Sequence, residues 1–428
     1  MPGPEQSNIL QRGSKKIIAA WGSFDFAQTS FSGIMVTFVF PIYFHKVIVT
    51  NGHADVYWGI TMFCSMLTVA LLTPLLGAMA DILRNKKLYL GIFASTTILC
   101  TALLYFMQPG MVLIAAILFT IANTGFEGGT VFYDAFLPEI TLPSTYGRVS
   151  GFGFACGYLG SLAILLINMP LFETAPKATF LVTAAFFTIF ALPFFLFVPE
   201  GRKQSRIHPA ALVRQGFGRL TATVRHIREY RDITQFLLAF FLYNDAVLTV
   251  NAFSGLYATV TLHFGMTELA IFFAMVQIIA IAGSLVFGKI ADHRGPKFAI
   301  TITLFIWIAV VTTAYLTTTK TAFYFVGGVA GMALGSSQAC SRGLMARLTP
   351  PEHTAEFFGF YDGFCGKASA VIGPLVFGLM SEVFGSQRPA ILMLAAFFIA
   401  GLLLIRRVDE RAAGKEEHAL ELEAVTTD

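Results

Sequence analysis

Residues Phe236–Val250 read FLLAFFLYNDAVLTV. The run has the apolar content of a helix core, yet Asn244 and Asp245 sit in its middle. What a carboxylate does there depends on the surrounding chain. That chain has 428 residues, 56% hydrophobic and 13% charged, with 44 phenylalanines. A soluble chain carries about 25% charged residues. Long apolar blocks recur with short polar breaks between them. Twelve are counted, at approximately 17–45, 56–80, 87–107, 110–136, 149–171, 178–198, 233–261, 267–291, 297–317, 321–345, 356–381 and 387–406. A bilayer core takes about 20 apolar residues per helix. The blocks lack sustained period-two alternation, which argues against a closed barrel. Every backbone group in lipid must be satisfied internally. The expectation is an all-α membrane protein with 12 transmembrane helices.

The first block is too long and too polar for a cleaved signal peptide and reads as span 1. With odd spans running inside to outside, inner segments carry 24 Lys/Arg and outer loops carry four: Lys46, Lys177, Lys320 and Arg388. Lys367 alone lies in the middle of a span, away from its ends. This bias predicts that both termini are cytoplasmic. The net charge of +4 is then a topology signal and gives no support to a nucleic-acid partner. The five cysteines all fall inside spans and form no C-x-x-C, so they read as small core residues. None of the eight histidines lies at mid-span. No metal or cofactor is expected.

The longest connection, 199–232, divides six spans from six. Within HPAALVRQGFGRLTATVRHIREYRD, Val213, Phe217, Leu220, Val224 and Ile227 share a helical face, and Arg214, Arg219, Arg225, Arg228 and Arg231 lie mostly elsewhere. Two readings stand: a helix lying in the cytoplasmic headgroup layer, or a linker helix without a specific partner. The organisation expected is a six-helix half at 1–198, the amphipathic linker at 199–232, a second six-helix half at 233–406, and a charged, disordered tail at 407–428.

The two halves echo each other. GAMADILRNKK after span 2 (Gly77, Asp81, Lys86, Lys87) matches GKIADHRGPK after span 8 (Gly288, Asp292, Gly295, Lys297) at an offset of 211. Gly151 matches Gly359 at 208, and Asp25 matches Asp245 at 220. Similar offsets in the same order mark an internal repeat. Over nearly its whole length the sequence resembles the major facilitator superfamily, whose loop signature is G-x-x-x-D-x-x-G-x-[RK]-[RK]. The second copy fits through Lys297, with Phe298 at the final basic position; the first has Arg84 where the pattern has Gly. The resemblance implies a cytoplasmic latch for Asp81 and Asp292, and for Lys86, Lys87 and Lys297. The alternative is a charged loop that sets topology.

A narrower resemblance is to the vacuolar-effluxer-like branch, whose autophagy-related members export amino acids from vacuoles. It rests on WGSFDFAQTSF, FYDAFLPEI, RVSGFGFACGYLGS, FLLAFFLYNDAVLTV and EFFGFYDGFCGKASAVIGPLVFG. Phe24-Asp25 fits the branch's aromatic-Asp pair. Ala246 replaces the usual Gly after Asn244-Asp245.

Ionisable residues at bilayer depth cost about 2.5–3.5 kcal/mol each on insertion scales, so they normally face a cavity or a partner. The candidates are Asp25, Glu127, Asp134, Asp245, Asp362 and Lys367, with Arg342 nearer the cytoplasm. In span 4, Thr120, Asn123, Glu127, Thr130 and Asp134 form one stripe, expected to line water or substrate. Asp25, Gln28 and Ser32 share a face of span 1, and Asp245 and Thr249 one of span 7. The resemblance implies that spans 1, 4, 7 and 10 line a central cavity. Span 10 supplies Gln338, Ser341 and Arg342. Asp25, Gln28, Asn123, Glu127, Asn244, Asp245 and Gln338 are therefore the candidate substrate or proton site. Asp81, Lys86, Asp134, Asp292, Lys297 and Arg342 are candidate gate residues. Asp362 and Lys367 have no assigned role. For each buried acid a purely structural hydrogen bond is the alternative.

The function expected is secondary transport of a small polar solute by alternating access, with amino acids first among substrates and protons the coupling ion. Two acids from equivalent helices could take an ammonium or a proton, and Arg342 or Lys367 a carboxylate. Sugars, drugs and lipids stay open, as does a non-transporting sensor. The nucleotide-binding pattern G-x-x-x-x-G-K-[ST] does not occur in the sequence, and no enzymatic constellation does either. The partners expected are a small-molecule substrate, protons and the lipid bilayer. The chain is expected to be a monomer in a bacterial cytoplasmic membrane.

Overall fold

The computed structural model describes residues 13–50, 52–199, 207–370 and 372–410. Most of the tail, and residues 200–206 of the linker, lie outside the described residues. The described residues are helical, with no strand among them.

The helices follow from long runs of Leu, Ile, Phe and Ala, closed by local stop and start signals. The first is α1 (Lys15–Phe31), continued by π-helical turns at Ser32–Phe38 and Phe44–Ile48. Next come α2 (Ala54–Leu83), α3 (Lys86–Leu103), α4 (Val112–Asp134), α5 (Tyr146–Asn168) and α6 (Ala178–Phe197). The linker forms α7 (Pro209–Arg225). Then follow α8 (Arg231–Leu256), α9 (Met266–Arg294), α10 (Pro296–Leu316) and α11 (Lys320–Leu348). The chain closes with α12 (Thr354–Phe358), α13 (Ile372–Phe384) and α14 (Gln387–Ile405). Asn85 caps α3 by accepting the Leu88 N–H, and Thr319 caps α11 by accepting that of Ala322. Such caps satisfy donors that a helix start leaves open. Pro296 starts α10, where a missing N–H costs nothing.

Ten helical segments among the described residues are long and apolar enough to cross a membrane. Twelve were expected. The tenth expected block is the 29-residue α11, whose polar and small residues dilute its apolarity. The eleventh is not one helix. It runs as α12, a π-helical stretch Gly359–Cys365 and a short turn Gly366–Ala368, then restarts as α13.

The chain forms two compact units. The first holds the described residues up to Ile140, Cys156–Leu220 and His353–Phe364. The second holds Thr141–Ala155, Thr221–Glu352 and the chain from Cys365 onward. The first turns of α5 thus belong to the second unit, and α12 belongs to the first. In the first unit α1 packs on α6, and α4 on α3 and α2. In the second, α9 packs on α11, and α14 on α8 and α10. Small residues set the closest approaches. Gly335 of α11 lies against the Ala280 carbonyl of α9, and Gly283 of α9 against the Met332 carbonyl of α11. Within a bilayer, association depends on this close packing, because lipid tails are as apolar as the helices.

Candidate functional site

In the first unit the site is built on α1 and α4. Asp25 is buried. Its Oδ2 accepts from the Tyr133 hydroxyl at 3.3 Å, and its Oδ1 from Gln28 Nε2 at 3.3 Å. The Thr130 hydroxyl donates to Gln28 Oε1 at 3.4 Å. Trp21 stacks on Tyr133 with ring centroids 4.6 Å apart and donates Nε1–H to its carbonyl at 3.2 Å. Aromatic faces thus hold the tyrosine while its hydroxyl holds the acid. Gly157 of α5 leaves room beside Asp25: a Cβ there would lie 3.0 Å from Oδ1.

The polar stripe of α4 divides between two neighbours. Asn123 is fully buried and donates to Ser65 Oγ of α2 at 2.8 Å, and Thr120 donates to the Thr61 carbonyl of the same helix. Thr130 turns to α1, as above. Glu127 is half-buried and Asp134 buried.

In the second unit, α8 and α11 hold a related group around the break that precedes α13. Asp245 is 0% exposed. Its Oδ1 accepts the Gly373 N–H at 2.8 Å, a donor in the first turn of α13. Its Oδ2 has no hydrogen-bond partner among the described residues. Asn244 donates to Ser369 Oγ at 3.0 Å, and Gln338 donates to Asn244 Oδ1 at 3.1 Å. Ser369 in turn donates to the Gly366 carbonyl at 3.0 Å. The Asn-Asp pair therefore grips both sides of the interruption. Asn244 holds the chain before it, and Asp245 caps the helix after it. Thr249 stands next to Gly373, whose lack of a Cβ permits the approach.

Arg342 is buried and belongs to a different group of contacts. Its Nε donates to Ser150 Oγ at 2.9 Å and its guanidinium to the Ser150 carbonyl at 2.7 Å. The same guanidinium lies over the Phe154 ring, 4.1 Å from its centroid. Asp362 lies in the π-helical stretch and Lys367 just beyond it, both half-buried.

The paired loops form two matching caps. Asp81 accepts the N–H groups of Ala355 and Glu356, at 3.1 and 2.9 Å, from the first turn of α12. Asp292 accepts those of Gly147 and Arg148, at 2.8 and 3.2 Å, from the first turn of α5, and the Arg148 Nε at 2.7 Å. Helix starts present open donors and partial positive charge, and a carboxylate answers both. The lysines diverge. Lys86 pairs with Glu139 at 2.7 Å and lies 3.7 Å from Asp81. Lys87 donates to the Val198 carbonyl, and Lys297 to those of Arg406 and Val408. Arg84 takes φ +50° at the position where the second copy places Gly295 at φ +91°. The first loop keeps a positive-φ turn without glycine.

Several partners lay outside the sequence candidates: Tyr133, Trp21, Ser65, Ser150, Ser369, Gly373 and Glu139. Their polar or small side chains carry no periodic signal.

Residues 56–418 match the family model described as "Vacuole effluxer Atg22 like". The chain is 31% identical over 410 residues to the uncharacterized MFS-type transporter YxiO of Bacillus subtilis, covering 92% of this chain and 95% of that one. It is 24% identical over 302 residues to autophagy-related protein 22-1 of Penicillium rubens, covering 64% of this chain and 51% of the fungal protein. Among solved structures, the human organic anion transporter MFSD10 aligns with a TM-score of 0.74 at 14% identity, over 92% of this chain and 100% of that one. The E. coli fucose:proton symporter FucP aligns with a TM-score of 0.72 at 12% identity, over 92% and 98%. The fold is that of the major facilitator superfamily, and the chain belongs to its Atg22-like vacuole-effluxer family as a multi-pass membrane transporter.

Proposed function

We propose that this transporter moves a small zwitterionic solute, an amino acid, by alternating access, with protons as the coupling ion. The observation that carries the reading is Asp245. It is a carboxylate in an apolar span, fully buried, with one oxygen capping α13 and the other without a partner among the described residues. An unpaired carboxylate oxygen in a low-dielectric setting is costly. A proton or a substrate ammonium relieves that cost. Asp25 is the matching acid of the first unit, with Tyr133 and Gln28 as its donors. Gln28, Asn123, Glu127, Asn244 and Gln338 complete the proposed binding residues. Asp81, Lys86, Asp134, Asp292, Lys297 and Arg342 are the proposed gate residues. The family description supports an efflux role, and the Bacillus relative supports a bacterial cytoplasmic membrane as its location.

The test is uptake of labelled amino acids, one at a time, into liposomes holding the purified protein, with and without an imposed pH gradient. Saturable uptake that the gradient stimulates, and that Asp245→Asn uncouples from the gradient, is the expected result. Folded protein that moves no amino acid overturns the substrate assignment and redirects the search to sugars, drugs and lipids.

A further inference from the structure

We propose that α7 is an interfacial helix that binds anionic lipid headgroups where the first unit meets the bilayer surface. Three faces of the helix have three different surroundings. One face docks on the protein. Leu212 is buried, Gly216 sits against Met79 and Leu75 of α2, and Arg219 donates to the buried Glu356 at 3.1 Å. A second face is apolar and exposed: Val213 is 41% exposed, Phe217 53% and Val224 51%. At 3.6 residues per turn these three fall within about 40° of one another. The third face carries Arg214 and Arg225, both exposed and about 100° and 120° around from Val213.

The occupant follows from position and charge. Met79, the docking partner, is about 12 Å of helix from Leu71, an α2 residue 63% exposed on an apolar span. The exposed apolar face therefore lies close to where the hydrocarbon layer ends. Between Ile207 and Arg228 the chain has four arginines and no Asp or Glu. An apolar stripe flanked by arginines suits the boundary between acyl chains and phosphate headgroups, where the stripe is buried and the guanidinium groups meet anions. Arginine side chains reach headgroups while their stems cover apolar surface. Docking through Arg219 and Gly216 fixes which stripe faces outward.

The experiment places a nitroxide spin label, one at a time, at positions 213, 217, 218, 222 and 224 of the full-length protein. The background has the five native cysteines replaced and is shown to be monodisperse. Each variant is reconstituted in vesicles of phosphatidylcholine, alone or with phosphatidylglycerol. Collision with oxygen reports apolar depth, and collision with a water-soluble nickel chelate reports exposure to water. Labels at 213, 217 and 224 are expected to favour oxygen, and those at 218 and 222 nickel. Adding phosphatidylglycerol should deepen the first group. The exposed pair Arg214→Gln and Arg225→Gln should abolish that deepening. Equal nickel access at all five positions in both vesicles overturns the proposal. Protection at 213, 217 and 224 that ignores phosphatidylglycerol overturns the lipid assignment, and spin–spin broadening there would identify a second copy of the chain as the occupant.

Discussion

The Asp245 carboxylate of α8 accepts the Gly373 backbone N–H at 2.8 Å, so an acid inside one apolar helix caps the first turn of another, α13. A capping acceptor is worth about 1 kcal/mol. Asn at this position keeps an acceptor oxygen for Gly373; Ala does not. Asp245→Asn is expected to fold with nearly unchanged melting temperature while losing pH-gradient-driven uptake. Asp245→Ala should lose both uptake and a few degrees of melting temperature, measured on the purified proteins. An Asn variant that transports at the wild-type rate under the gradient would count against proton coupling here.

Arg84 occupies a left-handed turn at φ +50°, a conformation that costs a non-glycine residue on the order of 1 kcal/mol. Arg84→Gly is expected to raise the melting temperature by removing that strain. The neighbouring cap by Asn85 and the Lys86–Glu139 pair should be unaffected. A drop in melting temperature would show that the arginine side chain contributes more than its backbone costs.

Gly160 of α5 lies directly against the Phe26 carbonyl of α1. A methyl group has no room there without moving one helix. Gly160→Ala is expected to destabilise the protein by about 1–3 kcal/mol, the usual cost of overpacking. Gly218→Ala, at an open position, is the control and should melt as wild type does or slightly higher, because alanine favours helix.

Glu356 is buried, with Arg219 at 3.1 Å and His353 at 3.0 Å from the same oxygen. Removing the arginine strips a buried carboxylate of a charged partner, a change that costs about 3–5 kcal/mol in buried pairs. Arg219→Met should therefore lower the melting temperature far more than Arg214→Met, whose side chain is exposed. Equal effects of the two variants would remove Arg219 as the docking contact of α7.

The fold was legible because its cause is local and repeated. Apolar runs of span length and the recurrence of Asp81 at Asp292 can each be counted along the chain. Asp25 and Asp245 stood out for a similar reason, since a charge inside an apolar run is visible without a structure. The break at Ser369–Ala370, just before α13, was not. Its residues are small, like many in the helices around them, and the next helix is stabilised by a carboxylate more than a hundred residues earlier.

Sequence alone determined that this chain enters the bilayer as helices, that its halves repeat, and which acids the membrane isolates. Those properties depend on transfer free energy and periodicity, which nearest neighbours in the chain decide. Tertiary structure decided what each acid does. Asp245 caps a broken helix, Asp25 takes the hydroxyl of Tyr133, and Asn123 joins α4 to Ser65 rather than standing open. A hydrogen bond forms only within about 3 Å and with its donor aligned. No spacing in the sequence specifies that geometry until the helices have packed.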